Sequence, residues 1–225
     1  MLQFLNSHST RMQKAALKPR KQPAQDRSTA TVEALHTAAI QVLTREGLRR
    51  CTTTRIAERA GASVGTLYQY YPNRDALLAA VLARHLEHVA EVVEQACATH
   101  RQRPVAEMAR GLVVAFLAEK LRNPGESRAL YAVAAERGGP ALVMRMHARM
   151  TAAIAAMLSS ATDARFDDAT VVASITLNAL TGPVRNVLEG RAPRGFETEL
   201  ETQLVLLATA YLQAHRPKRR AATKR

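Results

Sequence analysis

Residues 52–74 read TTTRIAERAGASVGTLYQYYPNR, and the punctuation inside that stretch decides how it folds. Thr53 to Ala60 carries Ile56, Ala57 and Ala60 at the i, i+1, i+4 spacing of one helix face. Gly61 then stands where a helix C-terminus wants a residue free to take positive φ. Further on, Ser63 offers an oxygen to the free N–H groups of a new helix, and Thr52 or Thr53 does the same for the earlier one. The second helix ends by Tyr71, because Pro72 has no N–H and pushes the residue before it out of the α region. Two short capped helices joined by about three residues make a helix-turn-helix.

A second helix of about two turns cannot stand alone, since nucleation is costly and few bonds offset it. It must lean on neighbours, with Leu67 and Tyr71, four apart, facing inward. Val64, Gly65, Thr66, Tyr68, Gln69 and Tyr70 are then expected to point away from the core. Small groups, hydroxyls, an amide and rings with polar tips suit a DNA groove and its flanking phosphates, and Gly65 at the helix N-terminus allows close approach to the phosphate chain.

The pattern T-T-x-x-I-A-x-x-A-G-x-S-x-G-T-L-Y-x-Y-Y-x-N-R-x-x-L, from Thr53 through Gly61, Ser63, Gly65, Thr66, Leu67 and Tyr68 to Arg74 and Leu77, resembles the DNA-binding domain of the TetR family of bacterial repressors. The resemblance covers roughly residues 30 to 80. It departs from the family pattern at Tyr70, where His is frequent, at Tyr71, where Phe is usual, and at Arg74, where Lys is usual. It implies that Thr53, Thr66, Tyr68 and Arg74 contact phosphates and that Thr54, Arg55, Val64 and Gln69 read bases. It also implies that the last two helices pair with their copies in a four-helix dimer seam, for which Ile175, Leu200, Leu204, Leu207, Ala208 and Tyr211 are the expected residues.

Around this stretch the chain reads as all-α, with no strand pattern and no repeat. Ser28 to Glu46 carries Val32, Leu35, Ala39, Val42 and Leu43 on one stripe, closed by Gly47. Asn73 caps a long helix to about Ala98, roughly 37 Å at 1.5 Å per residue, the expected link between the halves. Further helices are expected from Pro104 to Leu121, Glu126 to Arg137, Pro140 to Leu158, Asp168 (capped by Asp167) to about Glu189, and Phe196 to about Ala214. Pro183 should bend the penultimate one. The expected domains are a basic arm over 1–28, a DNA-binding head over 29–75, a helical effector-binding and dimerisation body over 76–214, and a basic tail over 215–225.

The net charge of +13 is concentrated at the ends. Residues 1–30 carry six Lys/Arg against Asp26, residues 215–225 carry six and no acid, and the body between is nearly balanced. Basic tails beside a DNA-binding head read as phosphate-neutralising arms. The chain of 225 residues, 47% hydrophobic, can bury a full core. Its two cysteines, Cys51 and Cys97, lack metal or CxxC spacing and fit a reducing cytosol. No uninterrupted run of 18 apolar residues and no secretory h-region is found, so the expected location is the cytoplasm.

Catalysis and cofactors find no support: GxSxG, GxxxxGK[ST], HExxH, and GxGxxG after a strand are all missing. His85 and His88, three apart with Glu87 and Glu91 nearby, have a spacing compatible with two metal ligands. No third ligand can be named, and a solvated charged face is the simpler reading, so no metal is expected. The expected partners are double-stranded DNA, a second copy of the chain, and a small apolar or amphipathic effector. A helix-enclosed pocket is mostly apolar with a few fixed polar groups. Phe116, Tyr131, Met146, His147, Met150, Thr176 and Asn178, on or beside inward faces of consecutive helical segments, are its expected lining.

Overall fold

The structure, a computed structural model, describes residues 26–136 and 138–215. The expected basic arm (all but its last residues) and the basic tail after His215 lie outside the described residues. Within them the chain forms nine α-helices and no strand: α1 Asp26–Glu46, α2 Thr53–Arg59, α3 Val64–Tyr70, α4 Arg74–Thr99, α5 Val105–Arg122, α6 Pro124–Ala134, α7 Gly139–Leu158, α8 Ala169–Leu188 and α9 Phe196–Gln213. A 3-10 turn, Leu48–Arg50, joins α1 to α2.

Several boundaries move by a residue or two, each for a local reason. Asp168 rather than Asp167 caps α8, its carboxylate accepting from the N–H groups of Thr170 and Val171 at 2.9 and 3.0 Å. Pro124, two residues before the expected start at Glu126, opens α6, where a missing N–H costs nothing. Pro183 sits inside α8, which runs on to Leu188.

The chain packs as two compact units. The first holds α1, α2, α3, the first half of α4, α6 and the start of α7. Leu35, Ala39 and Leu43 of α1 form its floor with Ile56 of α2, Leu67 of α3 and Leu77 and Leu82 of α4, all buried in one cluster that Leu130 and Val133 of α6 complete. At about 1.5–3 kcal/mol for each buried large apolar side chain, this cluster holds two seven-residue helices that would not persist alone. Residues 125–144 thus pack with the head, although they follow it by some fifty positions and were expected in the body.

The second unit holds the rest of α4 and α7 with α5, α8 and α9. There α9 packs on α5 and on α8, and α5 on α8. Arg149 of α7 forks onto Glu94 of α4, Nε to Oε1 at 2.5 Å and Nη2 to Oε2 at 2.6 Å. By length and composition α7 alone among the described helices could cross a membrane, but it carries Arg145 and Arg149, and the second is held in this ion pair.

Candidate nucleic-acid interface

The caps form as the sequence predicts. Thr52 Oγ1 accepts from the Arg55 N–H at 3.4 Å to start α2, and Ser63 Oγ accepts from the Thr66 N–H at 2.9 Å to start α3. Gly61 takes φ +65° between them, the left-handed conformation that a side chain would strain. Asn73 Oδ1 accepts from the Ala76 N–H at 2.8 Å at the head of α4.

These caps present a polar face made by both short helices. Thr54, Gly65, Tyr68 and Gln69 are exposed, while Thr53, Arg55, Thr66 and Arg74 are half-buried. Thr53 Oγ1 and the Tyr68 hydroxyl come within 3.4 Å of each other, and Thr66 Oγ1 lies 2.8 Å from Ser63 Oγ. Val64 is half-buried because it packs against the core cluster, so it reaches out less than expected. A Cβ built at Gly65 meets only Ser63 Oγ, at 3.6 Å, and its φ is not positive. The fold itself therefore does not require glycine there, whereas an outside group approaching the N-terminus of α3 would benefit from it.

Tyr70 corrects the sequence reading. It was expected on the outer face, but it is 7% exposed and belongs to the core cluster. The helix ends at Tyr70, so its inward pair is Leu67 and Tyr70, three apart. Tyr71, displaced by Pro72 into extended backbone (φ −127°, ψ 124°), swings its ring inward by another route. Its hydroxyl is joined to His36 Nε2 of α1 by a buried hydrogen bond of 2.7 Å.

The arginines of the face are unequal. Arg55 Nη1 is paired with Glu46 Oε2, which also lies 3.7 Å from Arg50 Nε. Arg74 is bonded to the neighbouring Asp75 at 3.0 Å, and Arg59 donates to Gln41 at 2.5 Å. Arg45 and Arg49 are exposed and in no ion pair among the described residues. Glu46, Arg49 and Arg50 were not singled out from the sequence; the cluster REGLRR just before the first short helix was the available signal.

The expected effector residues divide between the two units. Phe116, Met146, Met150 and Thr176 are buried in the second unit, but Tyr131 belongs to the first. The Thr176 hydroxyl donates a hydrogen bond to the Val172 carbonyl at 2.8 Å. Asn178, expected inward, is exposed on α8 and donates to the Ser174 carbonyl at 2.8 Å, because the inward face is taken by Thr176, Leu177 and Leu180. His147 keeps a buried Nε2 with no hydrogen-bond partner among the described residues. A separate groove of about 620 Å³ opens between α4 and α5, lined by Val92, Ala96, Thr99, His100, Arg110 and Val114 among others. His100 donates through Nδ1 to the Ala96 carbonyl at 2.8 Å, and a Cβ at Gly111 would strike the His100 ring at 2.4 Å. Glycine at that position is what lets the ring lie against α5.

The expected dimer residues also divide. Leu200, Leu204 and Ala208 are buried within the chain, on the side of α9 that packs on α5 and α8. Leu207 and Ile175 are exposed, and so are Leu206 and Val171. Tyr211 is half-buried, edge-on to His215 with ring centroids 5.5 Å apart.

His85 and His88 do not converge. His85 Nδ1 lies 3.6 Å from Glu126, and His88 Nε2 lies 3.2 Å from Glu119. Among the described residues no group of three or more His, Cys, Asp or Glu is placed to hold a metal. Burial pushes the Cys51 thiol up to about 11 and Cys97 up to about 12, which leaves both as unreactive core groups.

Residues 35–81 match the family model described as bacterial regulatory proteins, tetR family, and residues 104–212 match one described as Tetracyclin repressor-like, C-terminal domain. The uncharacterized HTH-type transcriptional regulator YvkB of Bacillus subtilis (strain 168) is 36% identical over 58 residues, which is 26% of this chain and 31% of that protein. The match thus spans under a third of that relative's length. A solved structure from Mesorhizobium loti MAFF303099, titled as a TetR-family transcriptional regulator, superposes with a TM-score of 0.71 at 19% identity over 86% of this chain and all of that one. The fatty acid degradation regulator FadR from Bacillus halodurans superposes with a TM-score of 0.62 at 13% identity over 79% of this chain and 97% of that one. At these identities the likenesses establish the fold.

Proposed function

Because the chain belongs to the TetR family of bacterial regulatory proteins, we propose that it is a cytoplasmic, sequence-specific DNA-binding transcriptional regulator. In this reading it is a homodimeric repressor, released from a palindromic operator by a small apolar or amphipathic molecule. The observation that carries the reading is the polar face of α2 and α3: two capped helices whose inward residues are fully committed to the core and whose outward residues are hydroxyls, an amide and a glycine. No catalytic side chain is needed for that work. Thr53, Thr66, Tyr68 and Arg74 hold phosphates, and Thr54, Arg55, Val64 and Gln69 meet base edges.

Two heads on a two-fold axis read half-sites about one helical turn apart, roughly 34 Å, so the reading needs a dimer. The exposed apolar side chains Val171, Ile175, Leu206 and Leu207 of α8 and α9 support a seam there. For the effector, the unpartnered Nε2 of His147 supports a polar group of a ligand reaching the second unit, since buried polar atoms ordinarily have partners. An effector changes DNA affinity only by binding one arrangement of the heads better than the other.

Footprinting of the DNA upstream of its own gene tests the reading. A protected, roughly two-fold symmetric site is expected. Binding to that site within tenfold of random DNA would instead make the protein a DNA-coating factor driven by its charge of +13.

A further inference from the structure

We propose that Glu46 is a specificity-determining residue, holding Arg50 and Arg55 in internal ion pairs so that neither is free to neutralise the phosphates of DNA of arbitrary sequence. The inference rests on the head being a DNA-binding surface. Glu46 is the last residue of α1, and its Oε2 meets Nη1 of Arg55 in the first turn of α2 and lies 3.7 Å from Nε of Arg50 in the 3-10 turn. One carboxylate therefore takes up two of the six arginines between residues 31 and 80.

The position is a poor one for an acid on other grounds. A helix C-terminus carries the negative end of the dipole and favours cations, as at Arg45 beside it. A carboxylate next to approaching phosphates is also repelled. Its favourable interactions at that spot are the two arginines. In the absence of DNA it neutralises them; in the presence of DNA it competes for them.

That competition discriminates. A phosphate carries the same sign of charge as the Glu46 carboxylate and must take the guanidinium from it, so binding to random sequence gains less from Arg55 than from a free arginine. A neutral base edge can accept from the N–H groups that Arg55 does not use on Glu46, and adds to the ion pair without breaking it. Arg45 and Arg49, in no ion pair among the described residues, remain as the unconditional phosphate contacts.

The test uses the full chain and a random-sequence duplex titrated over a range of salt. Glu46→Gln should steepen the slope of log K against log salt by about 0.9 to 1.8, since each further phosphate neutralised contributes about 0.9. Glu58→Gln removes the same charge from an exposed site of α2 that is in no ion pair among the described residues, and should leave the slope unchanged. In a chain already carrying Arg50→Gln and Arg55→Gln, Glu46→Gln should add nothing. A slope for Glu46→Gln equal to wild type, or an equal gain in the chain carrying Arg50→Gln and Arg55→Gln, overturns the proposal. If the wild-type chain fails to bind duplex DNA, the reading of the head falls, and the role of Glu46 with it.

Discussion

The side-chain hydroxyls of Thr53 and Tyr68, one from each short helix, lie 3.4 Å apart. The separation is at the outer limit of a hydrogen bond, so the pair adds little to stability but brings two donors to a single point on the surface. A phosphate oxygen placed between them would accept from both. Tyr68 is 41% exposed, which leaves its hydroxyl within reach of such a group.

Tyr68→Phe and Thr53→Val are therefore expected to change folding stability by no more than about 0.5 kcal/mol, the usual range for surface sites. Both should weaken binding to operator and random duplex by the same factor, because phosphate contacts position without specifying. Gln69→Ala, on the same exposed turn, should instead alter base preference. Anisotropy titrations against the footprinted site and a scrambled duplex check this, and an equal loss of preference in all three variants would refute the division of roles.

Tyr70 gives the opposite expectation. Its ring is in the core of the first unit, so Tyr70→Phe should leave DNA binding unchanged, while Tyr70→Ala should cost about 3–5 kcal/mol, as aromatic truncations in cores do. Urea unfolding of both variants beside wild type decides it. Reduced DNA affinity in a fully stable Tyr70→Phe variant would restore the residue to the outer face.

The contrast between Tyr70 and Tyr71 shows what could be read from the chain. Thr52, Gly61, Ser63, Asn73 and Pro72 act through neighbours at most a few residues away, and local chemistry was sufficient to place both short helices and their caps. Both Tyr70 and Tyr71 turn inward, and that Tyr70 does so depended on where α3 stops, a one-residue matter that moves a side chain from one face to the other. The apolar helices posed a different difficulty. In α9, Leu200, Leu204, Ala208 and Leu212 face the chain's own core while Leu206 and Leu207 are exposed, and both sets are apolar. Periodicity cannot say which of two apolar faces the same chain covers. Glu46 escaped notice because an ion pair between α1 and α2 exists only once the 3-10 turn has brought them together.

That division of α9 can be tested. Leu206, 61% exposed, should tolerate Leu206→Glu with normal helix content, yet sedimentation should show monomers and operator binding should be lost. Leu204→Ala should leave the assembly state alone and cost about 2–5 kcal/mol of stability through the cavity it leaves. Dimers of normal stability in Leu206→Glu would move the seam elsewhere.

The buried bond between His36 and Tyr71 links α1 to the residue that ends α3, and it makes the head sensitive to acid. His36 is 8% exposed, and its Nδ1 has no hydrogen-bond partner among the described residues. Burial, then the charge of Arg84, holds its pKa below the ordinary 6.5, with Glu33 pulling the other way. Tyr71 is pushed up to about 12, again mainly by burial, and keeps its proton throughout. Well above pH 6.5 the histidine is neutral whether folded or unfolded, and it contributes no pH dependence. As the pH falls below that value the unfolded chain takes up the proton first, so stability declines until the lowered folded-state pKa has been passed. Melting temperatures from pH 7.5 downward should therefore fall more steeply in wild type than in His36→Gln, whose amide cannot titrate; that slope, rather than the variant's absolute stability, is the readout. Tyr71→Phe should cost about 1–3 kcal/mol at neutral pH by leaving a second ring nitrogen of His36 buried without a partner. Parallel acid slopes in wild type and His36→Gln would show that the proton is taken up elsewhere in the chain.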